Sequence, residues 1–281
     1  MKSVIRYRRI RYIKQAALHA FLLAGGLVMV FPFIWMVFSS FKPSIEVISV
    51  DFHLLPRNWT LRNYVRVLEE LKLPRGYLNS LVVSSIITLS VLFSASLAGY
   101  LFSKLRFWGR DALFFLVLAS VMVPPHVVLI PLYALITVFR WVDTYQGLVF
   151  PFLMNAFGIF LMRQFIRGIP DDLIEAARID GASDFRIYFS IILPLVRSAL
   201  AVLGILVFLW SYDEFLWPLV AVHKEGMMTL PLLLGHFTQA EAKYPGESMA
   251  ACTIVVVPVL IVYAFFQQHF VKGISMTGLK A

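Results

Sequence analysis

The sequence predicts an all-α, polytopic integral membrane protein with six transmembrane helices and one charged loop set among them. Three observations carry this prediction. Hydrophobic residues make up 60% of the 281-residue chain and charged residues 15%, with a mean hydropathy of +0.80, whereas a soluble domain runs nearer half apolar and a quarter charged. The apolar excess sits in long runs nearly free of charge, the pattern of helices that cross a hydrocarbon core about 30 Å thick. Between two of these runs lies Ile169 to Leu195, reading IPDDLIEAARIDGASDFRIYFSIILPL, which is charged and amphipathic instead.

In chain order, residues 1–15 form a basic segment carrying Lys2, Arg6, Arg8, Arg9, Arg11 and Lys14 and no acidic residue. The first run, 16–41, has His19 as its one ionisable side chain. It is longer than the roughly 7–15 apolar residues of a signal peptide, so it is expected to stay as the first span. The second run, 78–102, has no charge, and the third, 112–139, has none beyond His126. Pro124, Pro125 and Pro131 predict that the third helix stops or kinks near Val123. The fourth run, 145–162, is kinkable at Pro151, the fifth, 198–222, is apolar apart from Asp213 and Glu214, and the sixth, 248–266, contains Pro258. The transmembrane domain is thus expected over 16–270, including the loop 169–195, with a basic tail at 271–281. In the connection between the first two runs, Leu61, Tyr64, Val65, Leu68 and Leu71 recur at helical spacing and predict a short amphipathic helix.

Charge fixes the expected orientation. With both termini in the cytoplasm, 16 of the 25 Lys and Arg residues fall in cytoplasmic segments, which is the bias that topology rules require. The formal net charge of +9 is spread between apolar runs and does not form one basic patch with interleaved aromatics, so a nucleic-acid partner is not expected. Cys252 stands alone in an apolar run and reads as a small buried hydrophobe.

The charged loop has its own local logic. Pro170, Asp171 and Asp172 form a helix start: Asp172 is placed to cap the first turn, Glu175 to reach back in a capping-box exchange, and the acidic groups suit the positive end of the helix dipole. Gly181 after Asp180 supplies the left-handed residue that ends a helix. Ser183 or Asp184 then caps a second short helix, limited by Pro194. The expected product is a helix-turn-helix elbow on the cytoplasmic membrane face, with Ala176, Ala177 and Ala182 leaving room for another surface to approach. The alternative reading is an amphipathic helix that anchors the loop in lipid, but such helices carry bulky apolar residues and basic flanks rather than Asp-Asp and alanines.

Glu175-Ala176-Ala177, Gly181, Ile191 and Leu193-Pro194 together resemble the cytoplasmic loop signature of permease subunits of bacterial and archaeal ABC importers. The fuller wording, EAARIDGAS followed by IILPL, resembles the carbohydrate branch, with its maltose-type and glycerol-3-phosphate-type permeases. Further similarity lies in Ser40-Phe41-Lys42-Pro43, Asn58-Trp59-Thr60-Leu61-Arg62-Asn63-Tyr64, Phe215-Leu216-Trp217-Pro218-Leu219 and Phe270-Val271-Lys272-Gly273. The resemblance implies that the elbow is a coupling helix docking on a cytoplasmic ATPase through Glu175, Ala176, Ala177, Asp180, Gly181 and Ala182. Ile191, Leu193 and Pro194 would return the chain to the membrane. It also implies a second homologous permease chain, two ATPase subunits that use ATP and Mg, an extracytoplasmic solute-binding protein, a carbohydrate substrate and a location in the cell membrane. The chain departs from the family at Tyr212-Asp213, where Trp-Asn is common, and at Arg197-Ser198, which replace a proline often found shortly after the LPL.

No Gly-Lys dipeptide occurs, so the chain has no phosphate-binding loop of the Walker type, and it lacks G-x-S-x-G and H-E-x-x-H. A catalytic role and a bound cofactor are therefore not expected. Tyr212, Asp213 and Glu214 are candidates for lining a translocation path, because ionisable groups in an apolar span are functional candidates or else interfacial. His126 is a second candidate, against a plain helix-end histidine. Asn155 is a third, although an amide within a span more often ties helices together. Two rivals remain at this level: a secondary transporter or channel driven by an ion gradient, which would want more charged relays at mid-membrane, and a membrane-embedded enzyme, which would want a catalytic cluster.

Overall fold

A computed structural model describes residues 2–241, 243–256 and 260, with side chains from Lys14 onward. The regular secondary structure of the described residues is helical with no strand, and the chain divides into two compact units.

One unit comprises Met1–Leu71 and His236–Leu260. Its first helix, α1 (Lys2–Ser40), runs through Pro32 without a break and starts within the basic segment. The stretch Lys14–Ser40 is long and apolar enough to cross a membrane, and none of its apolar window is buried by the chain. After α2 (Ser44–Val47), helix α3 (Arg62–Glu70) falls where the amphipathic helix is expected. Its buried face keeps Leu71 of the expected stripe but otherwise differs: Asn63 and Val67 are buried, whereas Leu61, Val65 and Leu68 are exposed. The reason is polar. The Asn63 amide donates to the carbonyls of Ser40 and Lys42, both at 2.8 Å, and so turns its own side of α3 toward the end of α1. Arg66 fastens the same helix to Glu247 at 2.9 Å, pairs within the helix with Glu70 at 2.8 Å, and lies 4.9 Å from the Tyr244 ring centroid.

The other unit, built on Lys72–Gly235, holds α4 (Leu73–Lys104), α5 (Arg110–Val121), α6 (Leu129–Val138), α7 (Tyr145–Val149), α8 (Ala156–Arg167), α9 (Asp171–Ile179), α10 (Asp184–Ile187), α11 (Leu193–Leu195), α12 (Arg197–Tyr212) and α13 (Leu216–Ala221), and α14 (Leu230–Ala240) begins in it. Its centre is α4, which packs along α8 and α12. Val83, Ile87, Val91 and Ala95 are buried at intervals of four, a ridge of the kind that fills the groove of a facing helix. Gly99 ends the ridge where α8 comes closest: a Cβ there would meet the Arg163 amide nitrogen and Met162 Cβ at 2.9 Å.

Among the described residues, besides Lys14–Ser40, the helix Leu73–Lys104 is long and apolar enough to span, and three bent pairs bring the number to as many as five. The break expected near Val123 is present: α5 ends at Val121 and the chain turns by 91° into Pro125–Val138. The fourth run is more interrupted than a kink at Pro151 would make it. Regular helix stops at Val149, passes through a 3-10 turn, and restarts at Ala156 to run on to Arg167, with a 45° bend. The fifth run is not one helix either, since α12 stops at Tyr212 and α13 starts at Leu216. Of the sixth run, residues 248–256 and 260 are helical, and the remainder, with the tail 271–281, lies outside the described residues.

Candidate functional site

The charged loop folds as two short helices about a glycine. Pro170 occupies the position before α9 with φ −58°, and no side chain caps the helix. The expected cap by Asp172 and its exchange with Glu175 is therefore not formed: proline already sets the entry angle, and Asp171 and Asp172 sit inside the first turn, where their charge suits the dipole. The C-terminus follows expectation. Gly181 has φ +80°, its amide donates to Arg178 O at 3.0 Å, and the Ala182 amide donates to Ala177 O at 2.9 Å, the paired bonds of a Schellman ending. Ser183 Oγ accepts from the Arg186 amide at 3.4 Å and caps α10.

Pro194 does not limit the second helix. Helical backbone continues from Asp184 through a π-helical turn, Tyr188–Ile192, into α11, and the break falls at Val196 with a 78° bend into α12. A proline lacks the amide that a regular turn needs and its ring clashes with a carbonyl one turn back; the wider turn just before it relieves both. Ile191 and Leu193 are half-buried and Pro194 is exposed.

The elbow has little apolar attachment of its own. Ile174 is the buried residue of α9, while Leu173, Ile179 and Phe185 are exposed along with Glu175, Ala176, Asp180 and Gly181; Ala177 and Ala182 are half-buried. Polar contacts hold it instead. Lys104 Nζ donates to Ile169 O and to Asp171 Oδ1, each at 2.5 Å. Arg178 pairs with Asp184 at 3.0 Å, and the Tyr100 hydroxyl reaches the same carboxylate oxygen at 3.4 Å. Hydrogen bonding and then charge from Lys104 hold the Asp171 carboxyl below the usual carboxylate range, and Asp184 raises the Arg178 guanidinium above its ordinary value. An open hollow of about 570 Å³ lies among Lys104, Asp171, Ile174, Glu175, Arg178 and Asp184. Sequence reasoning missed Lys104 and Tyr100. The one available signal was their spacing of four at the end of an apolar run.

The pathway candidates are placed differently. Asn155 caps α8, accepting from the Gly158 amide at 2.7 Å, so it starts a helix rather than tying two together. His126 is exposed on a 3-10 turn. Tyr212 is buried, Asp213 ends α12 and is exposed, and Glu214 lies in the gap before α13. Glu214 Oε1 accepts from the amides of Leu216 and Trp217 at 3.0 and 3.1 Å, acting as a helix cap. The space beside it, lined by Phe152, Trp210, Trp217 and Thr229, measures about 10 Å³, too small for a sugar ring. Among the described residues no three His, Cys, Asp or Glu side chains are placed to hold a metal ion.

The likeness to known proteins runs along almost the whole chain. The arabinooligosaccharides transport system permease protein AraQ of Bacillus subtilis (strain 168) is 33% identical over 267 residues, which is 94% of this chain and 95% of the relative. The trehalose/maltose transport system permease protein MalG of Thermococcus litoralis is 34% identical over 260 residues, covering 91% and 93%. A chain of a bacterial ABC transporter involved in the import of the acidic polysaccharide alginate superposes with a TM-score of 0.77 at 26% identity, covering 93% of this chain and 97% of that one. Residues 90–276, which include the elbow and its flanking helices, match the family model described as the binding-protein-dependent transport system inner membrane component. With two thirds of its length inside that match and full-length relatives above 30% identity, the chain belongs to the family of binding-protein-dependent transport system inner membrane components.

Proposed function

We propose that this chain is the permease subunit of an ATP-driven, binding-protein-dependent carbohydrate importer. The observation that carries the proposal is the elbow: a helix closed at its C-terminal end by its own backbone and held at its entrance by Lys104, leaving Glu175, Ala176, Asp180 and Gly181 exposed. Such a surface suits a protein groove. Its occupant is an ATPase subunit, since the chain carries no phosphate-binding loop. Carbohydrate as cargo is supported by relatives named for arabinooligosaccharides and for trehalose and maltose.

The complete assembly holds this chain, a second homologous permease, two ATPase chains and an external solute-binding protein, with ATP and Mg used by the ATPases. The permease crosses the membrane six times over 16–270, with both termini in the cytoplasm. ATP-driven closure of the ATPases moves the elbow and turns the helices outward to accept solute, and hydrolysis resets them. Glu175, Ala176, Ala177, Asp180, Gly181 and Ala182 make the docking face, and Ile191, Leu193 and Pro194 return the chain to the bilayer. Asp213 supplies an exposed carboxylate for the path, since Glu214 is engaged as a cap. The test is purification through this chain followed by reconstitution. Uptake should require the co-purified ATPases and the binding protein. Uptake that persists without them, or that collapses with a proton or sodium uncoupler while ATP remains, rejects the proposal.

A further inference from the structure

The last turn of α4 grips the elbow at two points. Tyr100 and Lys104 are four residues apart and therefore share one face of the helix. Lys104 holds the entrance to α9 through Ile169 O and Asp171, both at 2.5 Å. Tyr100 reaches the start of α10 through Asp184 at 3.4 Å, and Arg178 on α9 meets the same oxygen at 3.0 Å. The two sides of the Lys104–Asp171 pair differ in exposure: the lysine side chain is 5% exposed and the aspartate 73%. The buried ammonium is the half that cannot let go, because a buried charge stripped of its partners is costly. The pair also lies where the negative end of α4 meets the positive end of α9, so each charge complements a helix terminus.

The other end of the elbow is built differently. It leaves through the π-helical turn Tyr188–Ile192 and the break at Val196, where the chain bends by 78°. Tyr188 and Ile192 are buried and the Tyr188 hydroxyl meets Ser96 of α4 at 2.8 Å, so the π turn stays with α4, and Val196 is where the chain changes direction beyond that attachment.

We propose that Lys104 and Tyr100 are positioning residues that make the elbow a rigid continuation of α4, so that displacement of the elbow enters the membrane domain through α4 and is absorbed at Val196. The buried ridge from Val83 to Ala95 then carries it to α8 and α12. This inference rests on the reading of the elbow as the ATPase-docking element.

The direct test is a distance. Spin labels at Leu101→Cys on α4 and Asp172→Cys on α9, in a Cys252→Ser background, are measured in the purified complex without nucleotide and with ATP. A clamped elbow gives a narrow distribution that stays the same in both states. Lys104→Met broadens it, and Lys104→Arg, which keeps the charge and the donors, restores the narrow form. A wild-type distance that changes with ATP, or a narrow distribution in Lys104→Met, overturns the clamp. In proteoliposomes, Lys104→Met raises the ATP consumed per solute imported by roughly two- to thirtyfold, the usual range for residues that carry coupling between sites, and Lys104→Arg reverses it; an unchanged ratio also overturns the clamp. If Lys104→Met does not assemble, Tyr100→Phe takes its place: it removes one hydroxyl, and a distribution as narrow as wild type counts against the proposal. Wild-type complex that purifies without any ATPase rejects the docking reading, and in that case the nucleotide-free distance still decides the clamp.

Discussion

The turn at Asp180–Ala182 and the gap at Asp213–Phe215 both separate two helices in the same unit, and both carry acidic side chains, yet they leave different surfaces. At the first, glycine lets the backbone close its own hydrogen bonds, with Ala182 donating to Ala177 and Gly181 to Arg178. Glu175 and Asp180 remain exposed beside it. At the second, the Glu214 carboxylate accepts the amides of Leu216 and Trp217 that open the next helix, the task Ser183 Oγ performs for the Arg186 amide at the first. The difference teaches that an acidic residue at a helix break is available to a partner when another side chain caps the following helix, and is consumed when it must cap that helix itself.

The largest effect should come from removing that self-closure. A side chain at position 181 would project into open space, but the backbone φ there is +80°, so Gly181→Val meets a conformational cost of about 1–2 kcal/mol or more and distorts the exposed face of the elbow, the proposed docking surface, as well. We expect membrane insertion to persist while the ATPase is lost on purification or its hydrolysis is uncoupled from uptake. Gly181→Asn, which tolerates the left-handed region, should retain most coupling. Normal uptake in Gly181→Val would remove the elbow from the mechanism.

Next in size is the second break. Glu214→Ala deletes the acceptor for two amides and should cost about 1 kcal/mol, lowering the unfolding midpoint of the complex by roughly 2–4 °C. Glu214→Gln keeps an acceptor oxygen and should match wild type in both stability and uptake. If the Gln variant folds normally but fails to transport, Glu214 acts in the path and the contrast between the two breaks fails. Asn155→Ala, which frees one amide rather than two, should show a smaller loss of stability by the same thermal assay.

The elbow was legible because its signals are local. Proline and aspartates at the start, glycine at the stop and serine at the next start act within three or four residues, so their order in the sequence is their order in space. Where the reading failed, a competing local choice had won: Pro170 displaced Asp172 as the helix entry, and a wide π turn let helix continue past Pro194. The spans were legible as apolar runs but not as helices, because hydropathy does not register the caps at Asn155 and Glu214 that restart the chain inside them. Lys104 and Tyr100 were out of reach for another reason. Their partners lie 65 to 84 residues away, and an ionic contact at that separation leaves no periodicity to read.

The smallest effect sharpens the same contrast through pH. Lys104 depresses the Asp171 carboxyl below its ordinary value, so the attachment is stabilising in full above the unfolded carboxylate range and is lost only as the pH falls through the lower, folded value. Between neutral pH and mildly acidic pH the elbow should therefore stay fixed to α4. Below the usual carboxylate range, hydrogen exchange at the amides of α9 should quicken before that of α4. The change should be modest, since Asp171 is largely exposed and solvent screens its charge, and the Ile169 carbonyl still holds the ammonium. Asp171→Asn should abolish the pH dependence while leaving most of the protection in place. A Lys104→Met variant that keeps the wild-type profile would show that the acid sensitivity of α9 arises elsewhere on the loop.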